Sequence, residues 1–230
     1  MCGGYTLTVD ASVLGRLFEL ELLAELSPRY NIRPTQMVPI VRARSDGARE
    51  WASVRWGLIP SWAKDTKIGS RLINARAETA ADKPSFRSAF KHRRCLLPTD
   101  GFFEWVKAPG GKQPHHIRFA DRRVFAFAGL WERWTPLDGD PIDSCTILTS
   151  RPNELIVELH DRMPVILPPI RFDDWIAGGP LSPDAAEAML LPYPADGMEA
   201  VPVSTMVNSP KNDDPRCVEP VGNQGLLEFE

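Results

Sequence analysis

Cys2 stands beside the start of the chain and is followed by Gly3 and Gly4. Initiator methionine is generally removed when the next residue is small, so the mature chain is expected to begin with Cys2, a thiol next to a free α-amine. An α-amine titrates at about 7.7–8.0, against about 10.4 for a lysine, so a useful fraction is unprotonated near neutrality. The thiol, at about 8.5 in an ordinary setting, is a strong nucleophile once ionised. Together they form a 1,2-aminothiol. Its favoured reaction with an aldehyde is imine formation by the amine, then closure of a five-membered thiazolidine ring by the thiolate. Gly3 and Gly4 leave the following backbone free to turn tightly near a ligand. Two enzyme classes would use such a terminus. One is an N-terminal-nucleophile amidohydrolase, in which the thiol attacks an amide and the amine shuttles the proton. The other is a capture protein for aldehydes. A structural protein in which Cys2 is incidental fits the position as well.

Three further segments combine ionisable groups with an aromatic, strand-rich frame. Ile73–Thr79 places Asn74 and Arg76 two residues apart, on one face if the segment is extended. Asn74 would orient a substrate or the terminal amine, and Arg76 would hold a phosphate bidentately. Leu97–Trp105 sets the carboxylate Glu104 between the aromatics Phe103 and Trp105, where burial raises a carboxyl and makes it a general acid or base. Leu159–Pro164 carries His160, one of only four histidines, and histidine is best poised to move protons near neutrality. Each also has a structural reading: Glu104 as a satisfied ion pair, His160 as the cap of a turn.

The elements that must position these residues follow from patterning. Apolar residues at Val13, Leu14, Leu17, Phe18 and Leu22 predict a helix within Asp10–Leu26, capped by Asp10 and stopped before Pro28. Short helices are expected at Ser85–His92 and Pro183–Leu190. Strands are expected at Met37–Val41, Trp51–Leu58, Cys95–Leu97, Phe102–Val106, His115–Phe119, Val124–Leu130, Thr146–Thr149, Met163–Leu167 and Val201–Ser204. Many short strands with few helices between them predict an α+β fold: mainly antiparallel strands in a sandwich or a curled, barrel-like sheet with peripheral helices, not a doubly wound parallel sheet. The 22 prolines are scattered rather than gathered in a linker, so one domain over residues 1–230 is expected.

With 230 residues, 43% of them hydrophobic, the chain can bury a real core and is not disordered. No apolar run approaches a membrane span, so no membrane partner is expected. No secretory signal is visible, and the expected compartment is the cytosol. There thiols stay reduced, and Cys95 and Cys145 read as small buried hydrophobes. None of the four cysteines pairs as C-x-x-C, so neither a zinc ribbon nor a thioredoxin-type redox site is expected; no metal and no cofactor are expected. The formal charge of −3 argues at first against a nucleic-acid partner. It is an average, however: the last 58 residues carry −9 and the first 172 carry +6. Lys64–Arg94 alone holds nine basic residues against three acids, either a solvated basic face or a track for phosphates.

Taken together, the segments resemble the SOS-response-associated peptidase family. The matching motifs run in order along nearly the whole chain: MCGGY at the start, YNIRPTQ (Tyr30–Gln36), RWGLIPSWAKD (Arg55–Asp65), INARAET (Ile73–Thr79), RRCLLPTDGFFEW (Arg93–Trp105), FAGLWE (Phe127–Glu132), TILTS (Thr146–Ser150), LHDRMPVIL (Leu159–Leu167) and PVSTMVNSPKNDDP (Pro202–Pro215). The resemblance implies covalent capture of abasic sites in single-stranded DNA, with Cys2 forming a thiazolidine on the ring-opened sugar aldehyde. It implies Asn74, Glu104 and His160 as Cys2's active-site partners, and Arg76 and Arg162 as contacts to the DNA backbone beside the lesion. Trp62 and Pro34 lie in motifs expected to line the DNA groove, where they would wedge or stack against bases. A single-stranded substrate is physically sensible, because an aldehyde hidden in a duplex must first be extruded. A monomer, nucleoid-associated when on DNA, is expected.

One departure concerns Gly4, where the family often has arginine or another larger residue. It implies one phosphate contact fewer, and so weaker DNA binding or a differently shaped groove. The nearest rival is the cysteine amidohydrolase, whose glutamine-binding motifs are not found in the chain. A true peptidase is a related rival, and self-removal of the residue ahead of Cys2 would resemble one. A non-covalent module for modified DNA is the third.

Overall fold

The computed structural model describes residues 2–21 and 26–221. In chain order the strands are β1 (Tyr5–Leu7), β2 (Arg29–Ile32), β3 (Met37–Ala43), β4 (Arg49–Trp56), β5 (Asn74–Arg76), β6 (Arg94–Thr99), β7 (Gly101–Ala108), β8 (Gly111–Phe119), β9 (Phe125–Trp134), β10 (Ile142–Ser150), β11 (Met163–Pro164), β12 (Ile166–Leu167) and β13 (Met198–Pro202). The α-helices are short: α1 (Ala11–Phe18), α2 (Ala77–Ala80), α3 (Arg87–His92), α4 (Phe172–Ile176) and α5 (Pro183–Leu190).

Five strands close on themselves. β4 pairs with β3, β3 with β6, β6 with β9 and β9 with β10, all antiparallel. β10 then returns to β4 in parallel, with Ser144 opposite Arg55 and Cys145 opposite Trp56. The short β5 also lies parallel to β10. A second, five-stranded antiparallel sheet runs β13-β8-β7-β1-β2. The fold is therefore α+β, strand-rich, with a closed barrel and an antiparallel sheet, as the patterning predicts; the parallel seam at β10 is an addition.

Aromatics join the two sheets. Tyr5 of β1 sets its ring edge-on to Trp56 of β4 at 5.3 Å and to Phe127 of β9 at 6.0 Å, and Phe102 of β7 meets Phe127 at 5.8 Å. All four side chains are fully buried. Cys95 and Cys145 are buried in the same core, and all four cysteines are free thiols. A smaller apolar cluster of Phe103, Val203, Val207 and Cys217 fastens the C-terminal segment to β7. No helix is long and apolar enough to cross a membrane among the described residues.

Three elements differ from expectation. α1 stops at Glu19, whose left-handed backbone (φ 54°) ends the helix as its N–H bonds Gly15 O; Leu22 lies outside the described residues. Asp10 occupies the cap position without a side-chain cap bond. The expected strand Met163–Leu167 is two strands, because Val165 bonds both ways, donating to Leu148 O of β10 and accepting from Ala128 N of β9. The late strand runs Met198–Pro202, since Ser204 instead caps a 3-10 turn over Thr205–Asn208 by accepting from the Met206 N–H.

Candidate active site

β1 is held on both sides, by β2 and by β7, and a buried carboxylate ties it further. Asp100, at the β6–β7 corner, accepts from the Thr6 and Thr8 hydroxyls and from the Thr8 N–H at 2.7 Å. Thr6 Oγ1 also lies 3.1 Å from Nε2 of the buried His116. Desolvation, then the Arg118 charge, lowers that imidazole to about 3, so it is neutral. The start of the chain is thus pinned before Cys2 does anything. Cys2 itself is fully buried, its carbonyl accepts from Asn74 Nδ2 at 2.8 Å, and its thiol faces Gly4 O at 3.6 Å. Burial, helped by the Glu104 charge, pushes the thiol up to about 12. Asn74 reaches Cys2 from β5, where it sits opposite Ile147. Its Oδ1 is buried without a hydrogen-bond partner among the described residues.

Glu104 and His160 meet at one cleft of about 460 Å³, with Arg33, Trp105, Lys112 and Asn208 as its other walls. Glu104 points from β7 and is only 2% exposed. Burial pushes its carboxyl up to about 7, so it changes charge near neutrality. His160 follows the 3-10 turn Ile156–Glu158, and its N–H closes that turn on Ile156 O at 2.8 Å. Its Nδ1 accepts the Arg162 backbone N–H at 3.0 Å, and the Asp161 carboxylate stands 2.8 Å from the same nitrogen. Partial burial lowers the imidazole below its ordinary value.

Arg76 and Arg162 converge on one end of β10. Arg76 stands opposite Thr149, and Arg162 donates to Thr149 O. They are not equally available. Arg162 forks onto Glu78 at 2.7 and 2.8 Å, whereas Arg76 is exposed and its guanidinium makes no hydrogen bond among the described residues. Trp62, 57% exposed, donates to Pro84 O at 3.3 Å, and Pro34 is half-buried in the turn between β2 and β3. Neither lines the cleft.

Sequence reasoning missed Arg33, Trp105, Lys112 and Asn208. Arg33 and Trp105 adjoin Pro34 and Glu104 in motifs already singled out, and Asn208 lies in the last motif. Lys112, in the β7–β8 hairpin, carries no local signal. Among the described residues no group of three or more His, Cys, Asp or Glu could hold a metal ion.

A thiol that burial keeps protonated needs a base, and a carboxyl that titrates near neutrality can be one. Fold and site together define a thiol-bearing barrel protein whose candidate nucleophile sits at the entry to the first strand. The chain belongs to the SOS response associated peptidase (SRAP) family, whose model matches residues 1–210. It is 44% identical over 224 residues to the abasic site processing protein YoqW of Bacillus subtilis, covering 95% of this chain and 99% of that one. It is 31% identical to the abasic site processing protein HMCES of Gallus gallus, covering 96% of this chain and 78% of that one. A crystal structure of a protein from Bacteroides thetaiotaomicron superposes with a TM-score of 0.85 at 28% identity, covering 96% of this chain and all of that one.

Proposed function

We propose that this protein processes abasic sites in DNA, capturing them covalently in single strands through Cys2 once Met1 has been removed. The α-amine of Cys2 attacks C1′ of the ring-opened sugar and one water leaves as the imine forms. The thiol then adds across the C=N bond, its sulfur to carbon and its proton to nitrogen, closing the thiazolidine. The observation that carries this reading is the meeting of Glu104 and His160 at one cleft, with Asn74 holding the Cys2 carbonyl behind them. Glu104 takes the thiol proton and passes it to the imine nitrogen. His160 delivers a proton to the ring oxygen as the sugar opens. The unmatched Oδ1 of Asn74 is an acceptor for the amine of Cys2. Arg76 and the outer edge of Arg162 grip phosphates, and the exposed Trp62, with Pro34, lines the path of the strand.

The test is a denaturing gel of the purified protein with single-stranded DNA carrying one abasic site. The expected result is a slow covalent band that Cys2→Ala abolishes, from protein whose intact mass lacks Met1. No band from the wild type overturns covalent capture. Ammonia release from glutamine would mark an amidohydrolase instead. Reversible binding untouched by Cys2→Ala would mark a non-covalent module. Cleavage of a residue placed ahead of Cys2, lost on substituting Glu104, would show the self-processing that the family name suggests.

A further inference from the structure

Gly4 leaves an empty place beside the cleft, and Arg33 fills it. A Cβ built on Gly4 would stand 3.0 Å from Arg33 Nη1 and 3.3 Å from its Cζ. The guanidinium comes from the far side, out of the turn after β2, and is locked there. Nη1 donates to Gly3 O at 3.1 Å, Nη2 donates to Val207 O, and the plane lies 4.9 Å over the Trp105 ring. Trp105 is fixed in turn, because its Nε1–H donates to Asn208 Oδ1 at 2.7 Å. Among the described residues, Arg33 and the exposed Lys112 are the arginine and lysine side chains on the cleft wall. Two carbonyls take one donor each from the Arg33 nitrogens, so each terminal nitrogen keeps one N–H for a ligand.

We propose that Arg33, Trp105 and Lys112 form a nucleotide subsite next to the lesion: the two cations hold its phosphodiester, and Trp105 offers its indole to the neighbouring base. Arg33 thereby supplies, from residue 33, the cation that a long basic side chain at residue 4 would bring. The absence of a side chain at Gly4 is the vacancy that lets it in. The expectation of a missing phosphate contact is replaced by a relocated one. This rests on the reading of the protein as a binder of abasic single strands.

The experiment measures reversible binding of single-stranded DNA carrying a tetrahydrofuran abasic analogue, which has no aldehyde, so binding is read apart from crosslinking. Arg33→Ala is expected to weaken binding about tenfold and to make the slope of log affinity against log salt shallower by about 0.7, one phosphate's share on a single strand. Lys112→Gln, at an exposed side chain with no hydrogen bond among the described residues, is expected to shift the slope the same way with melting unchanged. Gly4→Arg alone is expected to weaken binding by colliding with Arg33, and Gly4→Arg in the Arg33→Ala background to recover the slope. Gly4 has no left-handed backbone that would forbid this. An unaltered slope in both Arg33→Ala and Lys112→Gln, with DNA still bound, overturns the subsite and leaves the DNA reading standing. No binding by the wild type removes that reading, and the subsite with it.

Discussion

Glu104 is where the chemistry is most exposed to measurement. Its carboxyl is buried and raised to about 7, against an ordinary glutamate near 4.3. The folded state therefore holds its proton more tightly than the unfolded chain does. Stability is unaffected below the unfolded value, falls as pH rises between about 4.3 and 7, and levels above. Glu104→Gln keeps the shape and removes the charge, so it is expected to flatten this fall and to be more stable than wild type at pH 8 by about 2–3 kcal/mol, read by denaturant melts at pH 4.5 and pH 8. The same substitution should slow crosslinking about 100-fold or more and abolish a rise in rate through pH 7. A variant that reacts as fast as wild type at pH 8 would show that the thiol finds another base. Asn74→Asp tests the neighbouring contact. It exchanges a donor for an acceptor facing the Cys2 carbonyl, 2.8 Å from the present donor atom, and is expected to lower crosslinking about tenfold or more while the protein still melts cooperatively.

Elements decide whether these residues meet. β1 is three residues long, too short to hold itself in place, and Asp100 supplies the anchor through Thr6 and Thr8. Asp100→Ala strands those donors at a buried site and is expected to cost about 2–4 kcal/mol. It should slow crosslinking as well, by loosening the strand that Cys2 leads into; full reactivity at reduced melting temperature would separate the anchor from the site. The barrel seam is as demanding. Gly57 follows β4, donates to Cys145 O of β10 at 2.8 Å, and has φ +123° with a would-be Cβ 2.6 Å from Gly69 O. Gly57→Ala meets both a forbidden backbone region and a carbonyl, so a loss of about 3 kcal/mol or more is expected in a urea melt.

At the scale of the whole molecule, three acids of the C-terminal portion pair with arginines that do not line the cleft. Asp213 pairs with Arg29, Glu199 with Arg118 and Asp173 with Arg49, leaving Arg33 and Lys112 facing the cleft and Arg76 exposed. If about three phosphates are neutralised, raising salt from 50 to 200 mM should weaken single-strand binding roughly twentyfold. Melting should change little over the same range, because the stabilising core is apolar. Affinity indifferent to salt would count against a phosphate track. Much was legible in the sequence. Alternating apolar runs located most strands within a few residues, and the order of motifs singled out Cys2, Asn74, Glu104 and His160 as candidates. The site's walls were less so. Arg33 matters because Gly4, 29 residues earlier in the chain, leaves room for it. Asn208 reaches Trp105 because Asn31 and Asp213 tie the C-terminal segment to β2, Asn31 Nδ2 to Asn212 O at 2.8 Å and the Asn31 N–H to Asp213 at 2.9 Å. Residue type and spacing determined the chemistry that this chain can attempt, because reactivity and strand pattern are local properties. The pKa of Glu104, the closure of β10 onto β4 and the cation over Gly4 were decided only by the tertiary structure, because burial and close approach arise between residues far apart in the chain.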